Sequence, residues 1–268
     1  MANTVRIDIS ISDEAGREIL IAELSDNNYY AFEESDNLSA FIKEEDYKED
    51  ALAEILKGTP FQKLLIADAN WNEKWESDFT PVIVEQFVGI RAGFHKPVTA
   101  VKHEIIITPK MSFGTGHHAT TYLMIQQMEH MNFENKKVLD FGTGTGVLAI
   151  LADKLGAQVT AIDNDDWSIT NAKENIEVNK CSNVTLSKAD APPDEQYDII
   201  LANINLNIIM ASLQLMKKVV RKEGYILISG ILSADITRVK EAFGLEGLEQ
   251  IKVCEREGWA CISFQMQQ

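Results

Sequence analysis

The chain has few cysteines, no apolar run of membrane-spanning length and no cluster of basic side chains, and each shortage removes a class of function. Its 3 cysteines, Cys181, Cys254 and Cys261, are odd in number, widely spaced and without nearby histidine pairs. That pattern argues against both a disulfide framework and a zinc site, so the three read as inert small side chains and no metal is expected. The N-terminus, M-A-N-T-V-R-I-D-I-S, has no basic stretch followed by an apolar core, and no run approaches the roughly 18 apolar residues of a membrane span. A cytoplasmic protein with no membrane contact is the expectation. Positive charge is scarce, with 25 Lys and Arg against 41 Asp and Glu for a net charge of −16. The acid is concentrated in residues 1–80, which hold 19 acidic and 7 basic residues, a balance of −12 that leaves −4 for the remainder. Such a surface repels a phosphate backbone, whose binding requires clustered Lys and Arg, and attracts a basic partner. A basic protein substrate is favoured over nucleic acid, with simple solubility as the plainer explanation of the same charge.

A length of 268 residues is enough for two domains, and 45% hydrophobic with 25% charged residues is an ordinary globular composition. Residues 4–10 alternate as a strand, 13–24 have helical spacing, 29–34 and 38–43 read as short strands, 46–57 as a second helix and 61–67 as a fourth strand. The order β-α-β-β-α-β is that of a ferredoxin-like module. It contains no glycine loop and no cluster of reactive side chains, which suits docking better than catalysis. We place this substrate-recognition domain at 1–68, a linker at 69–96 and a catalytic domain at 97–268. Trp71 and Trp75, at helical spacing beside the boundary, read as a hydrophobic clamp. Beyond the linker the reading is a strand at 104–108 and a helix near 118–131. Further strands fall at 137–141, 158–162, 183–187, 197–202, 224–230, 248–256 and 259–266, with helices near 146–155, 167–179, 205–221 and 232–243. The last two strands are joined by Glu257-Gly258 alone, which predicts an antiparallel hairpin at the edge of an otherwise parallel α/β sheet.

The most informative segment runs from Val138 to Asp163: V-L-D-F-G-T-G-T-G-V-L-A-I-L-A-D-K-L-G-A-Q-V-T-A-I-D. A hydrophobic strand meets a glycine-rich turn, a helix follows, and a second strand closes on an acid, which is how an α/β sheet builds a nucleotide-type cofactor site. Gly142, Gly144 and Gly146 let the backbone bend and approach a ligand, and the helix that follows aims its first N–H groups over the turn. Asp163 stands where a carboxylate accepts from ribose hydroxyls. Dinucleotide folds want G-x-G-x-x-G, and here the third glycine slot is Val147, so the spacing G-x-G-x-G with Asp140 before it resembles the first motif of the S-adenosylmethionine-dependent methyltransferases. The plain alternative is a tight strand-to-helix turn with no ligand.

Two further segments carry chemistry. I-T-P-K-M-S-F-G-T-G-H-H-A-T-T, residues 107–121, is a glycine-rich turn running into a helix, which folds over the cofactor from the other side or is simply a capped helix start. His117 and His118 are adjacent and cannot share one helix face as a metal pair would; one of them is a candidate for shaping the lid. In Y-D-I-I-L-A-N-I-N, residues 197–205, a buried strand ends at Ala202 and Asn203 emerges at the carboxyl edge of the sheet. Its side-chain oxygen and the next backbone carbonyl, that of Ile204, can accept two N–H bonds from an amine and aim the lone pair at a methyl group; a strand-end turn residue is the alternative. Asp190 is a candidate near an adenine.

F-G-T-G-H-H-A-T-T, D-F-G-T-G-T-G, A-I-D-N-D and A-N-I, in this order, resemble the PrmA family, whose members methylate protein L11 of the large ribosomal subunit. The resemblance covers residues 97–268 closely and the N-terminal module more loosely. It implies a Rossmann-like class I sheet with an antiparallel last strand and S-adenosyl-L-methionine as cofactor. It also implies cofactor contacts at Thr121, Gly142, Gly144, Asp163 and Asn203, and repeated methylation of lysine side chains and of an N-terminal α-amine. This chain departs from the family pattern with His117-His118-Ala119 in the lid, Thr143 where cysteine is usual and Asn205 after A-N-I. Two other readings remain: a methyltransferase for a small amine or a nucleic-acid base, and a non-enzymatic cofactor-binding module.

Overall fold

A computed structural model describes residues 4–11, 14–25, 27–34, 38–66, 80–108 and 116–267. The chain divides into two compact units, Met1–Asp78 and Phe79–Gln268. The first is built from β1 (Thr4–Ile9), α1 (Glu14–Ser25), β2 (Ala31–Glu34), β3 (Leu38–Lys43), α2 (Glu49–Leu56) and β4 (Phe61–Ile66). Its sheet runs β2-β3-β1-β4 with every neighbour antiparallel, the split arrangement that the β-α-β-β-α-β order predicts. Strict alternation along β1 puts Val5, Ile7 and Ile9 on the buried face against Leu24, Leu52 and Leu56 of the two helices.

The second unit opens with a small sheet, β5 (Val82–Val84), β6 (Val88–Ala92) and β7 (His103–Ile107), in the order β5-β6-β7. Here the expected linker over 69–96 needs correction: all five residues of β6 are buried, and Val88, Ile90 and Ala92 pack into the core of the second unit, which begins at Phe79. Arg91 ties β6 to β7 through a two-point ion pair with Glu104, at 2.8 and 3.1 Å. Trp71 and Trp75 lie outside the described residues, as do residues 109–115 of the glycine-rich lid.

The rest follows as α3 (Ala119–Met128), β8 (Lys137–Phe141), α4 (Val147–Lys154), β9 (Gln158–Asp163), α5 (Asp166–Val178) and β10 (Val184–Lys188). Then come β11 (Tyr197–Asn203), α6 (Leu206–Val219), β12 (Val220–Leu232), α7 (Ile236–Leu245), β13 (Leu248–Arg256) and β14 (Trp259–Met266). The seven-stranded sheet runs β10-β9-β8-β11-β12-β14-β13. Strands β8 to β12 pair in parallel, and β14 is antiparallel to both of its neighbours. Helices cover both faces, so the central strands are buried on two sides and read as continuous apolar runs. Glu257 and Gly258, with φ of 54° and 79°, form the two-residue turn that the final hairpin requires. Among the described residues no helix is long and apolar enough to cross a membrane, and no group of three or more His, Cys, Asp or Glu is placed to hold a metal.

Candidate active site

Strand order reverses at β8, whose neighbours lead outward to β9 on one side and β11 on the other, and a crevice opens there above the carboxyl ends of the strands. Gly142, Gly144 and Gly146 all have positive φ, at 76°, 55° and 81°, a region that a side chain makes costly. The turn is pinned because the N–H groups of Gly142 and Thr143 both donate to the carbonyl of Ile162, each at 2.9 Å. A Cβ at Gly142 would run into Cγ2 of Ile204, so the turn after β8 and the segment after β11 touch through a gap that only glycine leaves.

A cavity of about 400 Å³ lies over this turn. Gly142, Gly144, Asp163, Asp190, Asn203 and Ile204 all line it, which brings together the glycine turn, the strand-end acid and the strand-end asparagine. Asp163 is held in place by two backbone donors: Gly144 N–H to Oδ2 at 2.9 Å and Asp165 N–H to Oδ1 at 3.1 Å. Each oxygen keeps accepting capacity toward the cavity, since an ionised carboxylate offers about four lone-pair sites. Asn203 is 9% exposed. Its Nδ2 donates to Thr121 Oγ1 at 3.2 Å, and its Oδ1 is buried with no hydrogen-bond partner.

Thr121 is fully buried and stands behind Asn203 without lining the cavity; the neighbouring Thr120 lines it instead. The two histidines separate. His118 caps α3, with Thr120 N–H donating to its Nδ1, and lines the cavity edge-on against Trp259, ring centroids 4.7 Å apart. His117 turns away, and its Nε2 lies 2.9 Å from the carbonyl of Thr80. Trp259, Ile208 and Gly230 also line the cavity and were not singled out in the sequence. Gly230, at φ 85°, is packed so closely on the Ile204 backbone that a Cβ there would overlap its carbonyl oxygen.

Beneath the turn Asp140 is 1% exposed. Thr143 Oγ1 donates to its Oδ2 at 2.6 Å and Ala149 N–H at 3.1 Å, while Oδ1 has no partner. Burial pushes this carboxyl up to about 7; the two hydrogen bonds oppose that shift, and the nearby Asp163 carboxylate adds to it.

The family model described as ribosomal protein L11 methyltransferase (PrmA) matches residues 3–267. The chain belongs to this family. A ribosomal protein L11 methyltransferase of Phocaeicola vulgatus is 35% identical over 267 residues, covering 95% of each chain. One from Porphyromonas gingivalis is 36% identical over 264 residues, covering 94% of this chain and 91% of the other. The crystal structure of a ribosomal protein L11 methylase from Lactobacillus delbrueckii subsp. bulgaricus aligns with a TM-score of 0.66 and 26% identity, over 71% of this chain and all of that one.

The protein is therefore an S-adenosylmethionine-dependent methyltransferase with a Rossmann-like sheet. Its cavity fits that cofactor. A turn with three glycines offers a backbone cradle, Asp163 and Asp190 supply acceptors, and the partnerless Asn203 Oδ1 points to a donor that the protein itself does not provide. The cofactor, when bound, supplies a methyl group already activated on a sulfonium, so the protein's own task is to align and to exclude water.

Proposed function

We propose that this chain methylates ribosomal protein L11 of the large subunit, at lysine side chains and at the N-terminal α-amine, in the cytoplasm and without direct contact to nucleic acid. In this reading Asp163 holds the cofactor ribose, Gly142 and Gly144 let the backbone approach the methionine part, and Asn203 lies beside that part. Asn203 Oδ1 and the Ile204 carbonyl accept the N–H groups of the incoming amine, leaving its lone pair directed at the methyl carbon. Thr121 serves the cofactor indirectly, by fixing the rotamer of Asn203. The observation that carries the reading is the buried, partnerless Oδ1 of Asn203, a residue of the cavity lining whose amide is anchored through Nδ2 to Thr121.

The nucleophile has to be neutral. A lysine of pKa about 10.4 is mostly charged at neutral pH and an α-amine near 8 much less so. The apolar part of the lining, Phe141, Val147, Leu148, Ile204 and Ile208, disfavours the charged form and lowers the pKa of an amine held against it. The acidic first unit, with most of the chain's net charge, suits recruitment of a basic protein. The deciding experiment is transfer of radiolabelled methyl groups to purified L11, ribosomal RNA and free polyamines in parallel. Label is expected in L11, on lysine and the N-terminal residue; label in RNA or polyamine with none in L11 would overturn the reading.

A further inference from the structure

The second unit holds another cavity, of about 590 Å³, at the opposite end of the sheet from Asn203. It opens at the amino ends of β8 and β11, beyond the last turn of α3. Its size is within the range of small-molecule sites. Nothing in methyl transfer uses it.

Three backbone irregularities converge on it. Between β11 and β12 the register jumps from Tyr197 opposite Val220 to Ile199 opposite Tyr225, so residues 221–224 bow out of the ladder. Glu223 takes φ 61° in that bow, and at Gly224 a Cβ would lie 2.8 Å from the Arg221 carbonyl and 3.0 Å from that of Asp198. Between β13 and β14 the register slips from Gln250 opposite Phe264 to Lys252 opposite Ser263, leaving Ile251 as an extra residue. Just before β8, Asn135 adopts φ 58°. Bulges of this kind re-aim side chains, and here they bring Lys222, Lys252 and Lys136 to one cavity wall.

The charge balance there is opposite to that of the chain. Lys136, Lys222 and Lys252 form no salt bridge among the described residues, and His130 joins them in the lining. The lining contains two acids. Asp198 accepts from Arg221 Nη1 at 2.7 Å and from Lys137 N–H at 2.8 Å, and the charge of Lys136 acts on it as well. The other is Glu223, on the bow itself. The floor is apolar, from Met131, Ile199 and Tyr225. On a protein of net charge −16, a lining with three lysines against two acids is a local reversal to +1, and such a concavity focuses positive potential on an entering anion.

From this juxtaposition we infer that the cavity is a second ligand site, distinct from the cofactor cleft, for a small phosphorylated organic molecule of about mononucleotide size. The lysines take the phosphate as point charges, and the Met131, Ile199 and Tyr225 floor takes the organic part. The test is calorimetric titration of the full chain with uridine 5′-monophosphate, the cofactor cleft being blocked by saturating S-adenosylhomocysteine. One equivalent is expected to bind, with affinity falling as salt rises; uridine alone should not bind. Lys222→Glu and Lys252→Glu should each weaken binding at least about tenfold, while melting temperature and methyl transfer stay unchanged. No binding heat, or equal binding by both variants, would overturn the inference. So would much tighter binding of an RNA oligomer lost in the same variants, because the site would then be a nucleic-acid contact.

Discussion

Replacing Asn203 separates the two tasks its amide is given. In Asn203→Ala the cavity loses the acceptor proposed to orient the amine, and Thr121 Oγ1 loses its donor. A misplacement of about 1 Å in a reacting group costs on the order of 10²-fold, so turnover at saturating cofactor should fall about 10²-fold, or about 2.7 kcal/mol. Cofactor affinity should fall far less. Thr121→Val keeps Oδ1 and removes only the anchor at 3.2 Å, freeing the amide to rotate; about tenfold is expected from partial loss of orientation. Because Thr121 lines no part of the cavity, it acts through Asn203, and the double variant should be about 10²-fold impaired, not 10³-fold. Thr121→Ser, which restores the hydroxyl, should recover the rate. Single-turnover methyl transfer with saturating cofactor measures all four. An Asn203→Ala rate within about twofold of the parent would make Asn203 a strand-end turn residue, and full additivity in the double variant would give Thr121 a contact of its own.

Other consequences can be checked directly. Asp163→Ala should weaken cofactor binding by about 1.5–3 kcal/mol, the worth of hydrogen bonds to a charged group; calorimetry showing unchanged affinity in a folded variant would remove Asp163 from the site. Asp140, raised to about 7 from an ordinary 3.8, holds a proton in the native state that the unfolded chain has already lost. Its stability contribution is therefore complete below pH of about 4 and is lost as pH rises to about 7, with a slope of at most about 1.4 kcal/mol per pH unit. Melting curves from pH 4 to 8 should show the parent losing stability relative to Asp140→Asn across that window, and a constant offset would mean that Asp140 does not titrate there. Deleting residues 1–78 should leave cofactor binding intact and abolish methylation of L11, and in the full chain the KM for L11 should rise with salt as screening shortens the reach of the acidic surface. A truncated enzyme working at full rate would refute the docking role.

What could be read from the chain beforehand depends on how local its cause is. Strands β8, β13 and β14 match the expected bounds of 137–141, 248–256 and 259–266 residue for residue, because apolar runs and a two-residue Glu257-Gly258 turn set them without outside help. The small sheet of β5 and β6 was invisible for the opposite reason. Val82–Val84 is 3 residues long, and β6 contains a glycine and an arginine that is tolerable in a buried position because of the distant Glu104 and the carbonyls of Ala92 and His95. Val88, Ile90 and Ala92 do alternate, but so short a period, broken by a glycine and an arginine, does not announce a buried strand.

The site shows the same divide at finer grain. The glycine turn, Asp163 and Asn203 are each fixed by a strand that ends where the pattern ends, so their meeting at one crevice follows from sheet order alone. Thr120 and Thr121 are adjacent on a helix, about 100° apart around its axis, and no motif says which of them faces the ligand. Packing decides it: Thr120 faces the cavity with His118, and Thr121 faces Asn203. Trp259 and Gly230 carry no local signal at all. Trp259 enters the site because the final hairpin inserts β14 beside β12, which brings the hairpin turn to the cavity rim opposite His118. Gly230 matters because the backbone of Ile204, the proposed second acceptor for the amine, lies where its Cβ would be. A side chain at residue 230 would displace that carbonyl through backbone contact alone. The precision of the proposed amine site thus rests on a glycine in β12, the strand that pairs with β11 and follows the motif that announces the site.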